Sequence, residues 1–148
     1  MKLDETDKQI IRLLQKNART PNTEIARSLG VTETTVRNRV SRMLDEGSIN
    51  FVAVVNPEAT DAVISAFLEV GVKPIDMDQV VSTLQARPEV RYLALTLGRA
   101  QVVIEAFFRD HEHMLSFQNE TIGGLPGVHS VETNVVVRVP KMSYEWEI

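Results

Sequence analysis

The sequence predicts an α+β protein, with an N-terminal helix-turn-helix (winged-helix-like) domain followed by a ferredoxin-like βαββαβ sandwich. Three observations predict it. Apolar residues recur at helical spacing through residues 1–47, with Gly30 and Gly47 standing where two helices should stop. From residue 62 the apolar period switches between two and 3.6, in the order strand, helix, strand, strand, helix, strand. Between these parts, Ser48 to Asn56 is rich in β-branched and aromatic residues. The domains expected are therefore 1–47, a connecting strand and hinge over 48–61, and 62–148.

In the first domain Asp4 is placed to cap a helix that carries Ile10, Leu13 and Leu14 on one face as far as about Lys16. A second helix should begin at Thr20-Pro21, with Thr20 as cap and Pro21 in the first turn, turn Ile25, Ala26 and Leu29 inward and end at Gly30. Thr32 then caps a third helix that runs to Glu46, with Gly47 in a left-handed conformation beyond it. On that third helix Val36, Val40, Met43 and Leu44 make the buried stripe. Thr34, Asn38, Ser41 and Arg42 point the other way, and Thr35, Arg37 and Arg39 lie on the shoulders.

Hydroxyls, an amide and guanidiniums on one helix face suit a DNA major groove. Thr34, Thr35 and Asn38 can reach base edges, and Arg37, Arg39 and Arg42 can hold phosphates. The expected interface is Thr32, Thr34, Thr35, Arg37, Asn38, Arg39, Ser41 and Arg42. Charge agrees with this. Residues 1–56 hold nine Lys and Arg against seven acids, and the rest hold seven against thirteen, so +2 and −6 make up the net −4.

Asn56-Pro57 marks a turn, and the apolar residues Ile49, Phe51, Val52, Val54 and Val55 before it predict a strand that pairs in the same chain or with a partner. Val63 to Val72 then alternates as a strand. Met77, Val80, Val81 and Leu84 make a helix that ends before Arg87-Pro88. Val90 to Leu97 and Val102 to Phe108 form a hairpin about the turn Gly98 to Gln101. A second helix runs from about Asp110 to Ile122 with Met114, Leu115 and Ile122 inward, Gly123-Gly124 stops it, and Val128 to Val139 is a long last strand. The second sheet face carries Phe67, Val103, Phe107 and Val136, which predicts a homodimer packed through that face.

Other function classes find little support. The chain has no Cys, which removes thiolate metal sites and cysteine nucleophiles. No apolar run approaches the ~20 residues of a membrane span, and the charged start lacks a secretory apolar region, so a soluble, cytoplasmic protein is expected, nucleoid-associated through the DNA its third helix would meet. His111 and His113 lie two apart on a helix and do not share a face, and His129 is a lone strand histidine. No catalytic residues, metal ligands or cofactors are expected.

Leu3-Asp4-x-x-Asp7-x-x-Ile10, Asn17-Ala18-Arg19, Glu24-Ile25-Ala26, Val36-x-x-Arg39-Val40 and Glu46-Gly47-x-Ile49, followed by the double β-α-β unit and its glycine hairpin, resemble the Lrp/AsnC family of transcription regulators, the feast/famine regulatory proteins. The resemblance covers nearly the whole chain. It implies double-stranded DNA as partner, an effector-sensing second domain, and homodimers that assemble into tetramers, octamers or larger rings. It also implies an amino acid or related metabolite bound between dimers near Gly98, Arg99, Ala100 and Gln101. A two-fold dimer would read half-sites about one helical turn, ~34 Å, or a multiple apart.

The family often has an acid where Gln101 stands. An amide offers only neutral hydrogen bonds. The effector is thus a changed one, such as an anion meeting Arg99, or absent, or other residues supply the charge. Two alternatives to an effector-modulated, sequence-specific regulator are a sequence-tolerant DNA-compacting protein and an enzyme like the siroheme decarboxylases. The enzyme resemblance would call for basic residues after the third helix, and Gly47-Ser48-Ile49-Asn50-Phe51 has none.

Overall fold

The computed structural model describes residues 3–56 and 59–148, so the Asn56-Pro57 turn falls partly outside the described residues. The chain divides into two units, Met1–Val54 with Lys141–Ile148, and Val55–Pro140.

The first unit is three helices, α1 (Glu5–Lys16), α2 (Asn22–Leu29) and α3 (Glu33–Asp45). Asp4 caps α1 reciprocally: its Oδ1 accepts from the Asp7 N–H at 2.8 Å, and Asp7 Oδ2 accepts from the Asp4 N–H at 3.1 Å. Thr20 does not cap α2. Its hydroxyl donates to the Asn17 carbonyl at 2.7 Å, closing the turn after α1, and Pro21 takes the cap position with no side-chain bond. Gly30 (φ 68°) and Gly47 (φ 67°) are left-handed, and Thr32 caps α3 by accepting from the Thr35 N–H at 3.1 Å. Ile10, Ile25, Val36 and Met43 are fully buried where the helices meet, with Ile11, Leu14 and Ala26 buried beside them.

The last eight residues lie with this unit rather than with the second. Ile148 packs against its core, and its backbone oxygen accepts from Arg12. The strand expected over 48–56 does not form. Among the described residues this segment is assigned to no strand, and Phe51, Val52, Val54 and Val55 are exposed.

The second unit is one antiparallel sheet in the order β2-β3-β1-β4, built from β1 (Ile64–Val72), β2 (Val90–Leu95), β3 (Val102–Phe108) and β4 (Val128–Val135). The helices α4 (Met77–Gln85) and α5 (His111–Ser116) complete the βαββαβ order. Alternation puts Ala66, Leu68 and Val70 of β1 and Val102, Ile104, Ala106 and Phe108 of β3 into the core, where Val80, Leu84, Met114, Phe117 and Ile122 meet them.

Three boundaries differ from expectation. β2 stops at Leu95, because Thr96 and Gln101 close a longer loop by their own hydrogen bond. β4 ends at Val135. One further bond joins Val136 N–H to Ser65 O, the ladder goes no further, and Val137 and Val139 are exposed. The last helix changes pitch: after Ser116 the segment Phe117–Ile122 is a π-turn, with Gly123 N–H bonding Gln118 O. The wider turn buries Phe117 and Ile122 five residues apart and leaves Leu115, expected inside, half exposed.

The sheet face away from the core carries exposed Phe67 and Tyr92 and half-buried Val103, Phe107 and Val136, interleaved with Glu69, Glu105 and Glu132. Among the described residues no helix is long and apolar enough to cross a membrane.

Candidate nucleic-acid interface and effector cleft

On α3 the residues opposite the buried stripe separate into two groups. Thr34, Arg37, Asn38 and Ser41 are exposed, and Thr34, Asn38 and Ser41 follow one another at i, i+4 and i+7 along a single face. Arg37 pairs loosely with Glu33 at 3.5 Å while 59% exposed, a contact that solvent screens and that leaves the guanidinium available. Thr32 and Thr35 spend their hydroxyls on each other, 2.8 Å apart, at the helix start.

Arg39, expected on a shoulder, and Arg42, expected on the outward face, were both expected to hold phosphates, and both instead pair with acids. Arg39 Nη1 donates to Asp4 Oδ2 at 2.6 Å and to Asp7 Oδ1 at 2.8 Å. Arg42 Nη2 donates to Asp7 Oδ2 at 2.7 Å, and its buried Nε meets no acceptor among the described residues. Asp7 is 1% exposed. A carboxylate withdrawn from water needs such partners, and both arginines turn back to α1 to supply them. Arg39 and the Asp7 N–H hold the Asp4 carboxyl below its ordinary value, and Asp4 with Asp7 raises that of Arg39.

This network was the main feature missed in the sequence. Two weak signals point to it: the acids at i, i+3 in Asp4-x-x-Asp7, and the arginines at i, i+3 in Arg39-x-x-Arg42.

In the second unit the hairpin loop is closed by Thr96 N–H to Gln101 O at 2.9 Å and Thr96 Oγ1 to Ala100 O at 2.8 Å. Arg99 and Ala100 line a cleft of about 310 Å³ together with Glu69, Ser130, Val131 and Glu132. Glu69 and Glu132 are direct register partners on β1 and β4, and such like charges repel. Arg99 answers them, 2.5 Å from Glu132 and 4.0 Å from Glu69.

The other two expected effector residues do not line that cleft. Gln101 is turned into the fold, where Oε1 accepts from Val72 N–H at 3.0 Å and Nε2 donates to Gly98 O and Arg99 O at 3.3 and 3.4 Å. Gly98 stands in open space. Glu69 and Glu132 went unrecognised, because period-two patterning shows which face each occupies and not which strand lies beside it.

A second cleft of about 340 Å³ runs along Gln118, Asn119, Gly123 and Val128 to Val131. Of the histidines, His111 and His129 are exposed. His113 Nδ1 accepts from Arg109 N–H at 3.4 Å, so Nε2 carries the proton toward Glu89, 3.2 Å away.

Comparison with known proteins matches two family models along the chain. Residues 3–44 match the AsnC-type helix-turn-helix domain, and residues 65–146 match the Lrp/AsnC ligand binding domain. An uncharacterized HTH-type transcriptional regulator of Pyrococcus abyssi is 36% identical over 145 residues, covering 97% of this chain and 92% of its own length. The HTH-type transcriptional regulator LrpA of Pyrococcus horikoshii is 34% identical over 130 residues, covering 87% and 92%.

Among solved structures, AsnC of E. coli aligns with a TM-score of 0.90 at 25% identity, over 98% of this chain and 99% of that one. A transcriptional regulator of Neisseria meningitidis, in its complex with L-Met, aligns with a TM-score of 0.90 at 23% identity, over 99% and 97%. The two Pyrococcus relatives and the Neisseria meningitidis protein are named as transcriptional regulators. With a DNA-binding and a ligand-binding domain of one lineage matched in order along it, the chain belongs to the Lrp/AsnC family of helix-turn-helix transcriptional regulators.

Proposed function

We propose that this regulator reads DNA sequence with the outward face of α3, on which Thr34, Asn38 and Ser41 meet base edges, Thr32 and Thr35 anchor the helix start, and Arg37 holds a phosphate. The single observation that carries the reading is the exposure of three small hydrogen-bonding side chains along one face, opposite Val36 and Met43. Short hydroxyl and amide side chains let a helix backbone approach a groove floor closely and still make directional bonds. The charge of Arg39 and Arg42 is taken up by Asp4 and Asp7, so in this reading they support α3 and do not touch phosphates. Binding of Thr34→Ala and Ser41→Ala to duplexes varied one base pair at a time tests it. Each variant should lose discrimination at particular positions only.

We further propose that the Arg99 cleft takes an amino acid or a related small metabolite. Its charges suit a zwitterion, with Glu69 and Glu132 for an ammonium group and Arg99 for a carboxylate. This set supplies the acidic character that Gln101 lacks. The L-Met complex of the Neisseria meningitidis relative supports the class of ligand and not its identity. A homodimer formed through the face that carries Phe67, Val103 and Phe107, assembling further into tetramers, octamers or rings, fits the paired half-sites such a regulator would read. The working place of such a protein is the cytoplasm, at the nucleoid.

A further inference from the structure

The acids Asp4 and Asp7 and the bases Arg39 and Arg42 form a charge-neutral quartet between α1 and α3. Asp7 is its centre. It is buried, and its two oxygens accept three bonds, from Arg39, Arg42 and the Asp4 N–H. Arg39 is 27% exposed and Arg42 41%, with the Arg42 Nε buried, and both guanidiniums are tied to carboxylates of α1 and its cap. Both sit on the same helix as Thr34, Asn38 and Ser41, within one or two turns of them. Whatever fixes these arginines also fixes the direction in which the outward face points.

We propose that Asp7 is a positioning residue for DNA recognition: it withdraws Arg39 and Arg42 from the phosphate-binding set and uses them to set how α3 is presented to the groove. The proposal rests on the reading of α3 as the groove-entering helix. It has a consequence that a purely structural role for Asp7 lacks. Neutralising Asp7 removes one negative charge and releases Arg42, while Asp4 still holds Arg39 at 2.6 Å, so attraction to any duplex should rise while discrimination falls. Simple loosening of the domain would lower both.

The test uses the full chain and two labelled duplexes, one selected from a random pool by the unaltered protein and one shuffled from it, titrated by fluorescence anisotropy across a salt series. For Asp7→Asn the preference for the selected duplex should fall about tenfold, and the slope of log K against log salt on the shuffled duplex should steepen by roughly one, for the Arg42 guanidinium released. For Arg42→Gln the preference should fall with no change in slope.

Full preference in a folded Asp7→Asn protein overturns the proposal, and so does a slope shallower by roughly one in Arg42→Gln, the mark of a lost phosphate contact. If Asp7→Asn does not fold, Arg42→Gln decides by itself. Asn38→Ala separates the two failures. If it too keeps the preference, the groove reading falls; if it loses preference while Asp7→Asn keeps it, the role of Asp7 alone falls.

Discussion

Gln101 Oε1 accepts the Val72 N–H at 3.0 Å at the point where the pairing of β1 with β4 shifts register between Gly71 and Val72. The side chain supplies an acceptor at the irregularity, and its Nε2 reaches back to two carbonyls of its own loop. Gln101→Ala should therefore lower stability by about 1–3 kcal/mol, the range for stranding a partly buried donor. In urea melts the midpoint should fall at constant slope, and an unchanged midpoint would make these bonds incidental.

The π-turn makes a sharper prediction. Phe117 is buried against Phe108 with ring centroids 5.3 Å apart, whereas Leu115 is half exposed. Phe117→Ala should cost about 3–5 kcal/mol. Leu115→Ala should stay within roughly 0.5 kcal/mol. An uninterrupted α-helix carrying Leu115 inward would reverse that order.

Acid should act through Glu89. Burial raises its pKa, but its own backbone N–H, His113 and Arg87 outweigh burial and hold it below its ordinary value of 4.5. A carboxyl depressed in the folded state stabilises above the unfolded value, and that contribution is lost as pH falls through the folded one. The stability gap between the unaltered protein and Glu89→Gln should be constant near neutrality and shrink as pH falls below 4.5. Thermal melts across pH 3–7 check it, and a gap independent of pH would remove Glu89 from acid sensitivity.

The cleft predicts a ligand response. In a thermal-melting screen against amino acids and their keto-acid and nucleobase relatives, a compound at ~100 times its Kd should add roughly 2.7 kcal/mol to the stability of the unit it binds. Arg99→Ala and Glu132→Gln should each abolish the shift. A shift that survives both would move the site elsewhere, with the cleft beside Gln118 and His129 the next place to look.

The helical part of the fold was legible because its signals are local: Asp4, Thr32, Gly30 and Gly47 each act within a turn of where they stand. The first strand and its buried face were legible from alternation at Ala66, Leu68 and Val70. What was not legible depends on partners distant in sequence. Arg39 meets Asp7 across 32 residues, and Glu69 meets Glu132 only because β4 lies beside β1. The outward positions of α3 expected for Thr34, Asn38 and Ser41 are exposed, while Arg42 was placed outward by helical arithmetic that could not foresee a buried acid on α1. The π-turn was missed because nothing in Phe117–Ile122 breaks a helical pattern; the pitch is set by packing.

The most direct test of the account is the sequence preference of Asn38→Ala. Duplexes recovered from a random pool by the unaltered protein and by this variant should differ at one position in each half-site, with about 1–3 kcal/mol of discrimination lost there and the rest of the site unchanged. Recovery of the same sequences by both proteins, or a uniform loss of affinity with every preference intact, would contradict the assignment of α3 as the reading helix.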